Sequence, residues 1–219
     1  MAKSIAVLGL GKYGTSLVRA LSDMGADVMA VDKDETLVNE IADYCSAAVC
    51  ADVSNEETLV SLGLKDMDIV VVAMAQNLEA SILAVAVAKD LGVPRIVAKS
   101  SSERMSAILQ RVGATEAIIP EEYAGVRSAT ILFSETVLDY FQLGSSLCMI
   151  EMLPLKEWVG KTLKELDLRI KDNINVVARR DENNSWMLID PGKPLEKESK
   201  LLVVMDQKTL DELILRDDA

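Results

Sequence analysis

The sequence predicts an α/β fold, a doubly wound parallel sheet followed by a small α+β lobe, and three observations carry this. A β-branched apolar run at residues 5–8 opens directly onto Gly9-x-Gly11-x-x-Gly14 and a helical stretch. A second apolar run at 28–31 ends on an acid, Asp32. Short apolar runs then alternate with helical patterns as far as Pro120. Strand, glycine loop, helix, strand and terminal acid form the order that a Rossmann-like mononucleotide-binding unit requires.

Taken in chain order, the strands fall at 5–8, 28–31, 47–50, 69–73, 96–98 and 117–119, each short and apolar as strands buried on both faces of a parallel sheet are. Helical patterns lie between them at 12–24, 34–43, 56–62, 77–91 and 103–112, several closed by Gly25, Gly63, Gly92 and Gly113 just past the last turn. Six strands and five helices complete a nucleotide-binding domain at 1–120. Residues 121–143 read as one continuous helix, with Val126, Ala129, Thr130, Phe133, Val137 and Phe141 at helical spacing. Its apolar positions on more than one face suit a crossover between copies, so a homodimer or higher assembly is expected. Strands at 147–153, 175–178, 186–189 and 201–205, with short helices at 162–166 and 208–215, make the lobe at 144–219. At about 75 residues it is too small for a typical catalytic domain.

Each residue of the glycine loop has a separate task. Gly9 permits the tight turn off the strand, Gly11 lets backbone approach a phosphate, and Gly14 lets the next helix pack against the sheet. That helix points its N-terminal N–H groups at the phosphates, and Asp32 is placed to accept hydrogen bonds from ribose hydroxyls. Asp32-Lys33-Asp34, with no arginine nearby, disfavours a 2′-phosphate and hence NADP.

Composition narrows the function further. Half of the 219 residues are hydrophobic, enough for a proper core. Lys and Arg number 23 against 35 Asp and Glu, and the net charge of −12 repels nucleic acid, so no nucleic-acid partner is expected. The chain enters a strand directly after Met-Ala-Lys-Ser, with no secretory segment, and runs such as 69–75 are too short to span a bilayer. A soluble cytoplasmic protein is expected. Cys45, Cys50 and Cys148 lack metal or disulfide spacing and sit in apolar surroundings, so they read as buried small hydrophobes. There is no histidine and no Tyr-x-x-x-Lys pair, which removes the commonest acid/base chemistry and favours a protein that is not an enzyme. An NAD-dependent oxidoreductase, and a nucleotide or redox sensor acting on a partner other than a channel, stand as the alternatives.

Gly-Leu-Gly-Lys-Tyr-Gly at 9–14, Ala30-Val31-Asp32, Ala51-Asp52-Val53-Ser54 followed by Leu62-Gly63, Val72-Ala73-Met74 and Ile119-Pro120-Glu121 together resemble the RCK domain of TrkA/KtrA-type regulatory subunits of potassium uptake systems. The run from Gly160 to Arg169, followed by Ile174-Asn175-Val176-Val177-Ala178, is similar to their C-terminal lobe. The resemblance implies a cytoplasmic ring, commonly an octamer of four dimers. It would dock at the inner face of the membrane on a separate potassium-conducting subunit and gate it. It also implies that ATP and ADP, or NAD and NADH, compete for one cleft.

The same resemblance assigns residues. Gly9, Gly11, Lys12, Tyr13 and Gly14 belong to the phosphate loop, Asp32 holds ribose, Asp52 and Val53 border adenine, and Met74 and Ala75 line the cleft. Lys99 stands where a cation reaches phosphate, or else is a solvated lysine at a strand end. Glu121 lies near the terminal phosphate or a divalent cation such as Mg²⁺, or else is a helix N-terminal acid favoured by the dipole. Lys12 stands where the family often has arginine; it keeps the charge but not the bidentate fork, so the choice between ATP and NAD stays open. Ile170, Asn173, Ile174, Asn175 and Pro191 resemble the segment that receives cyclic di-AMP at a two-fold interface in some Gram-positive members, and are equally ordinary strand-and-turn residues.

Overall fold

The structure, a computed structural model, describes residues 2–74, 77–181 and 183–217. Its internal contacts divide the chain into two units, Met1–Glu122 and Tyr123–Ala219.

The first unit is the doubly wound sheet expected from the sequence. Six parallel strands, β1 (Ser4–Leu8), β2 (Asp27–Asp32), β3 (Ala47–Cys50), β4 (Ile69–Val72), β5 (Arg95–Lys99) and β6 (Glu116–Ile118), lie in the spatial order β3-β2-β1-β4-β5-β6. Helices α1 (Lys12–Asp23), α2 (Glu35–Ile41), α3 (Glu56–Ser61), α4 (Leu78–Asp90) and α5 (Glu103–Val112) alternate with them. Strand side chains point alternately to opposite faces, and both faces are filled. Ala6 and Leu8 pack with Val70 and Val72 on one side, while Ile5 and Val7 pack with Val28, Ala30 and Val71 on the other. Chain direction across the sheet switches between β1 and β4, which opens a crevice at the carboxyl ends of the strands.

Four of these helices begin on a side-chain cap: Asp34, Asn55, Asn77 and Ser102 accept from the backbone N–H groups of Thr36, Thr58, Ala80 and Met105. Each such cap is worth about 1 kcal/mol. α1 differs, because Gly11 occupies its cap position and offers no side-chain acceptor. The N–H groups of its first turn are therefore left facing the crevice, available to an external anion.

The second unit is an antiparallel sheet of β7 (Val137–Leu143), β8 (Leu147–Met152), β9 (Asn175–Arg180), β10 (Trp186–Leu188) and β11 (Leu201–Asp206) in the order β10-β9-β11-β8-β7. α6 (Pro120–Phe133) carries the chain into it, and α7 (Leu163–Leu166), α8 (Leu168–Lys171) and α9 (Gln207–Asp217) accompany its strands. Its own core gathers Tyr140, Ile150, Met152, Trp158, Leu201, Val203, Met205, Leu210 and Leu213.

Two expectations are corrected here. The continuous helix over 121–143 ends at Phe133, and its second half is β7, which forms a hairpin with β8. The Ser134 hydroxyl accepts the N–H groups of Thr136 and Val137, drawing the backbone out of the helix. The register then shifts between Val137 and Asp139, so Val137 and Tyr140, three residues apart, both face the core. A bulge thus imitates helical spacing. Cysteine burial is the second correction: Cys148 is fully buried, Cys45 is half-buried, and Cys50 is exposed. Cys50 ends β3, an edge strand with a neighbour on one side only. Among the described residues no helix is long and apolar enough to cross a membrane.

Candidate functional site

At the switch point of the first sheet lies a cavity of about 620 Å³. Gly9, Gly11, Lys12, Tyr13, Asp32, Asp52, Val53, Met74, Lys99 and Glu121 all line it, brought together from the carboxyl ends of five strands, β1 to β5, and the start of α6. Gly14 sits beneath the loop rather than on the cavity wall, and Ala75 lies outside the described residues. Lys33, Ser54, Ala73, Asn77 and Ala80 also line the cavity and were not singled out from the sequence. Lys33 adjoins Asp32 and Ser54 adjoins Val53, so sequence adjacency to the site residues was the signal that could have found them.

The glycine loop is built by close contact. Gly9 has φ +103°, and a Cβ there would stand 2.6 Å from the Met74 side chain. A Cβ at Gly14 would fall on the carbonyl oxygen of Gly9, so α1 approaches β1 only because that residue is glycine. Nothing lies within 4 Å of a Cβ built on Gly11, which leaves open space above the uncapped end of α1.

Asp32 fastens the loop as well as lining the cavity. Its Oδ2 accepts the N–H of Leu10 at 2.6 Å and its Oδ1 accepts the N–H of Asp34 at 2.9 Å, so the acid at the end of β2 fastens the loop leaving β1. Each carboxylate oxygen keeps a further lone pair for a hydroxyl donor. Asp52 is held in a similar way: its Oδ1 accepts the N–H of Ser54 at 3.0 Å and the Ser54 hydroxyl at 2.7 Å. These bonds, the backbone one foremost, pull its pKa below the usual carboxylate range.

On the far side of the cavity Lys99 Nζ donates to Glu121 Oε1 at 2.5 Å. The same Nζ lies 5.8 Å from the centroid of the Tyr13 ring, within range of a cation–π attraction. The Lys99 side chain is 14% exposed and its ammonium is paired with Glu121. Glu121 does sit in the first turn of α6, and the hydrogen bond from Lys99 is the main cause of its lowered pKa. Burial, with a smaller contribution from the charge of Glu116, pushes the Tyr13 phenol up. Among the described residues no group of three or more Asp, Glu or Cys side chains could hold a metal ion, so Glu121 offers a single carboxylate.

In the second unit Ile170, Asn173 and Ile174 line one recess of about 240 Å³, whereas Asn175 and Pro191 do not. Asn173 takes a left-handed backbone, φ +57°, and donates from Nδ2 to Asp206 Oδ2 at 3.0 Å. Pro191 instead accepts the N–H of Lys164 at the start of α7.

Comparison with known proteins follows the same division of the chain. The TrkA-N domain family model matches residues 5–120. Ktr system potassium uptake protein C of Bacillus subtilis (strain 168) is 40% identical over 178 residues, covering 81% of this chain and 80% of that protein. Ktr system potassium uptake protein A of Vibrio alginolyticus is 35% identical over 208 residues, 95% of this chain and 94% of that one. Among solved structures, the GsuK RCK domain shares the fold at a TM-score of 0.68 and 14% identity, covering 100% of this chain and 48% of the other. This chain thus spans about half the length of that structure's chain. The family match over the whole first unit, and identity sustained through most of the second, mean that this protein belongs to the TrkA-N family, with the Ktr potassium uptake proteins among its relatives.

Proposed function

We propose that this protein is the cytoplasmic, nucleotide-sensing regulatory subunit of a Ktr-type potassium uptake system, switching a separate potassium-conducting membrane subunit at the inner face of the membrane. The observation that carries the reading is the cavity at the switch point: an uncapped helix N-terminus above Gly11, two acids at the adenosine end, and a lysine at the other. Phosphates sit at α1, Asp32 holds ribose, and Asp52 with Val53 borders the base. ATP and ADP are one candidate pair and NAD and NADH the other. A GsuK channel that shares this fold at a TM-score of 0.66 and 13% identity has been solved bound to NAD.

No ligand bond has to break for such a switch. A ligand shifts a two-state equilibrium only by its difference in affinity for the two states, and about 1.4 kcal/mol moves the ratio tenfold. The protein acts as a homodimer that assembles into a ring, an octamer in this reading. Supporting this, α6 buries no residue within the chain and leaves Tyr123, Val126, Leu132 and Phe133 exposed. A divalent cation accompanies the nucleotide through its phosphates and Glu121. Cyclic di-AMP is the proposed ligand of the Ile170, Asn173 and Ile174 recess.

The test is reconstitution. The purified chain is added to vesicles carrying a Ktr-type membrane subunit, and potassium flux is followed with each nucleotide. Retention on the vesicles with a flux that depends on which nucleotide is present supports the proposal. Absence of retention, or flux indifferent to nucleotide, contradicts it.

A further inference from the structure

Of the four capped helices of the first unit, α4 alone has its capping residue, Asn77, in the cavity wall. Both oxygens of Asn77 are engaged. Its Oδ1 accepts the N–H of Ala80 at 3.1 Å, and its carbonyl oxygen accepts the N–H of Ser81 at 3.0 Å and lies 2.9 Å from the Ser81 hydroxyl. That buried hydroxyl also reaches the carbonyl oxygen of Met74 just past β4, so the residue that opens α4 is held against the end of the strand. Only an oxygen can accept the Ala80 N–H, which sets the carboxamide one way round and leaves Nδ2 with its two N–H donors outside the cap. Nδ2 has no hydrogen-bond partner among the described residues.

Strand order says which part of a ligand Asn77 meets. Asp52 and Asp32 lie at the ends of β3 and β2, the glycine loop and Asn77 follow β1 and β4 on either side of the switch point, and Lys99 ends β5. Asn77 thus shares its half of the cavity with the uncapped end of α1 and with Lys99, away from the two acids. A neutral cap matters there: Asp would cap as well but set a carboxylate on that wall, and Ser would cap without offering an N–H.

We propose that Asn77 is a ligand-binding residue as well as a cap: its Nδ2 donates to a phosphate oxygen of the bound nucleotide, across the crevice from the N–H groups of α1. The proposal rests on the nucleotide reading given above. A donor fixed before the ligand arrives gives up little freedom on binding, and its bond to a charged acceptor is stronger than one to a neutral acceptor. Two helix N-termini, one bare and one carrying a neutral amide, then face the phosphates from the two sides of the switch point.

The test separates cap from donor. ATP and adenosine affinities are measured by calorimetry at constant Mg²⁺, beside the melting temperature, for the full chain and for Asn77→Asp, Asn77→Ser and Asn55→Asp. Asp and Ser both keep the cap, so neither change at position 77 should lower the melting temperature. Asn77→Asp replaces the donor by a negative acceptor and should weaken ATP binding tenfold or more, whereas Asn77→Ser only removes the donor and should weaken it roughly three- to tenfold. Adenosine affinity should be unchanged in both. Asn55→Asp adds the same charge at the cap of α3, beside Ser54 but outside the cavity wall, and should shift ATP binding by less than about twofold. Native-like ATP binding by Asn77→Asp, an equal loss with adenosine, or an equal loss in Asn55→Asp would each overturn the donor role while leaving the nucleotide site standing. A fall in melting temperature that accompanies every loss of affinity would do the same, since Asn77 would then act as a cap alone. A native chain that binds neither ATP nor adenosine overturns the site itself, and the donor role with it.

Discussion

The carboxylate of Asp32, at the end of β2, accepts the backbone N–H of Leu10 in the glycine loop after β1, at 2.6 Å and across 22 residues of chain. The acid proposed to hold ribose is thus also the fastener of the glycine loop, and both ends of the proposed nucleotide site depend on one side chain. Asp32→Ala should remove binding by tenfold or more, since hydrogen bonds to a charged group are worth about 1.5–3 kcal/mol, and lower the melting temperature by several degrees. Asp32→Asn keeps one acceptor for Leu10 but turns its amide donor toward the Asp34 N–H, so its melting temperature should fall less than that of Asp32→Ala while nucleotide affinity falls. Calorimetry and thermal melting on the two variants check this; equal thermal loss in both would argue against the fastening role.

The glycines separate fold from function. Gly14→Ala sets a methyl on the Gly9 carbonyl oxygen and should cost about 1–3 kcal/mol of stability through overpacking. Gly11 has φ −61° and open space around it, so Gly11→Ala should change stability by less than about 0.5 kcal/mol. Its methyl nevertheless enters the phosphate path and should weaken nucleotide binding. Denaturant melts beside binding isotherms distinguish the two; a strongly destabilised Gly11→Ala variant would contradict the loop geometry described.

Thiol chemistry should report the burial of the three cysteines. Burial pushes the Cys148 thiol up to about 11, and its side chain is fully covered. Cys50 is exposed at the end of β3. Iodoacetamide at neutral pH should label Cys50 first and Cys148 only after denaturation, as read by peptide mass spectrometry. Early labelling of Cys148 would mean that the second core opens readily.

Acid should weaken the fold. Hydrogen bonds from Lys99, from the Ser4 N–H and from the Thr209 N–H hold Glu121, Asp68 and Asp206 below the usual carboxylate range. Groups lowered on folding stabilise the native state fully above their unfolded pKa, about 4, and that contribution is lost as pH falls through their folded values. The melting temperature should be flat from about pH 7 to 5 and then decline toward pH 3. A rise on acidification would show that relief of the −12 net charge outweighs these bonds.

Much of this site could be read directly from the residues. Gly9, Gly11 and Asp32 are separated in the sequence by one complete βα unit, and the parallel sheet has only one way to bring such a loop and such an acid together. The pairing of Lys99 with Glu121 was not legible, because it joins the ends of β5 and the start of α6 through side-chain reach that spacing does not encode. The strand at 137–143 was missed for a different reason. The helical reading set Val137 and Phe141, four apart, on one face, whereas the bulge between Val137 and Asp139 turns Val137 and Tyr140 to the core and leaves Phe141 exposed, and only the pairing with β8 reveals this. Exposure of Cys50 was hidden likewise: its apolar neighbours read as a buried strand, while its place at the sheet edge is a fact of strand order.

The measurement that bears most directly on the account is calorimetric titration of the full chain with ATP, ADP, NAD and NADH, with and without Mg²⁺, while light scattering follows assembly size. The account predicts binding of at least one pair at one site per chain to an octamer-sized particle, with the heat lost in Asp32→Ala. A monomer that binds none of the four would contradict it.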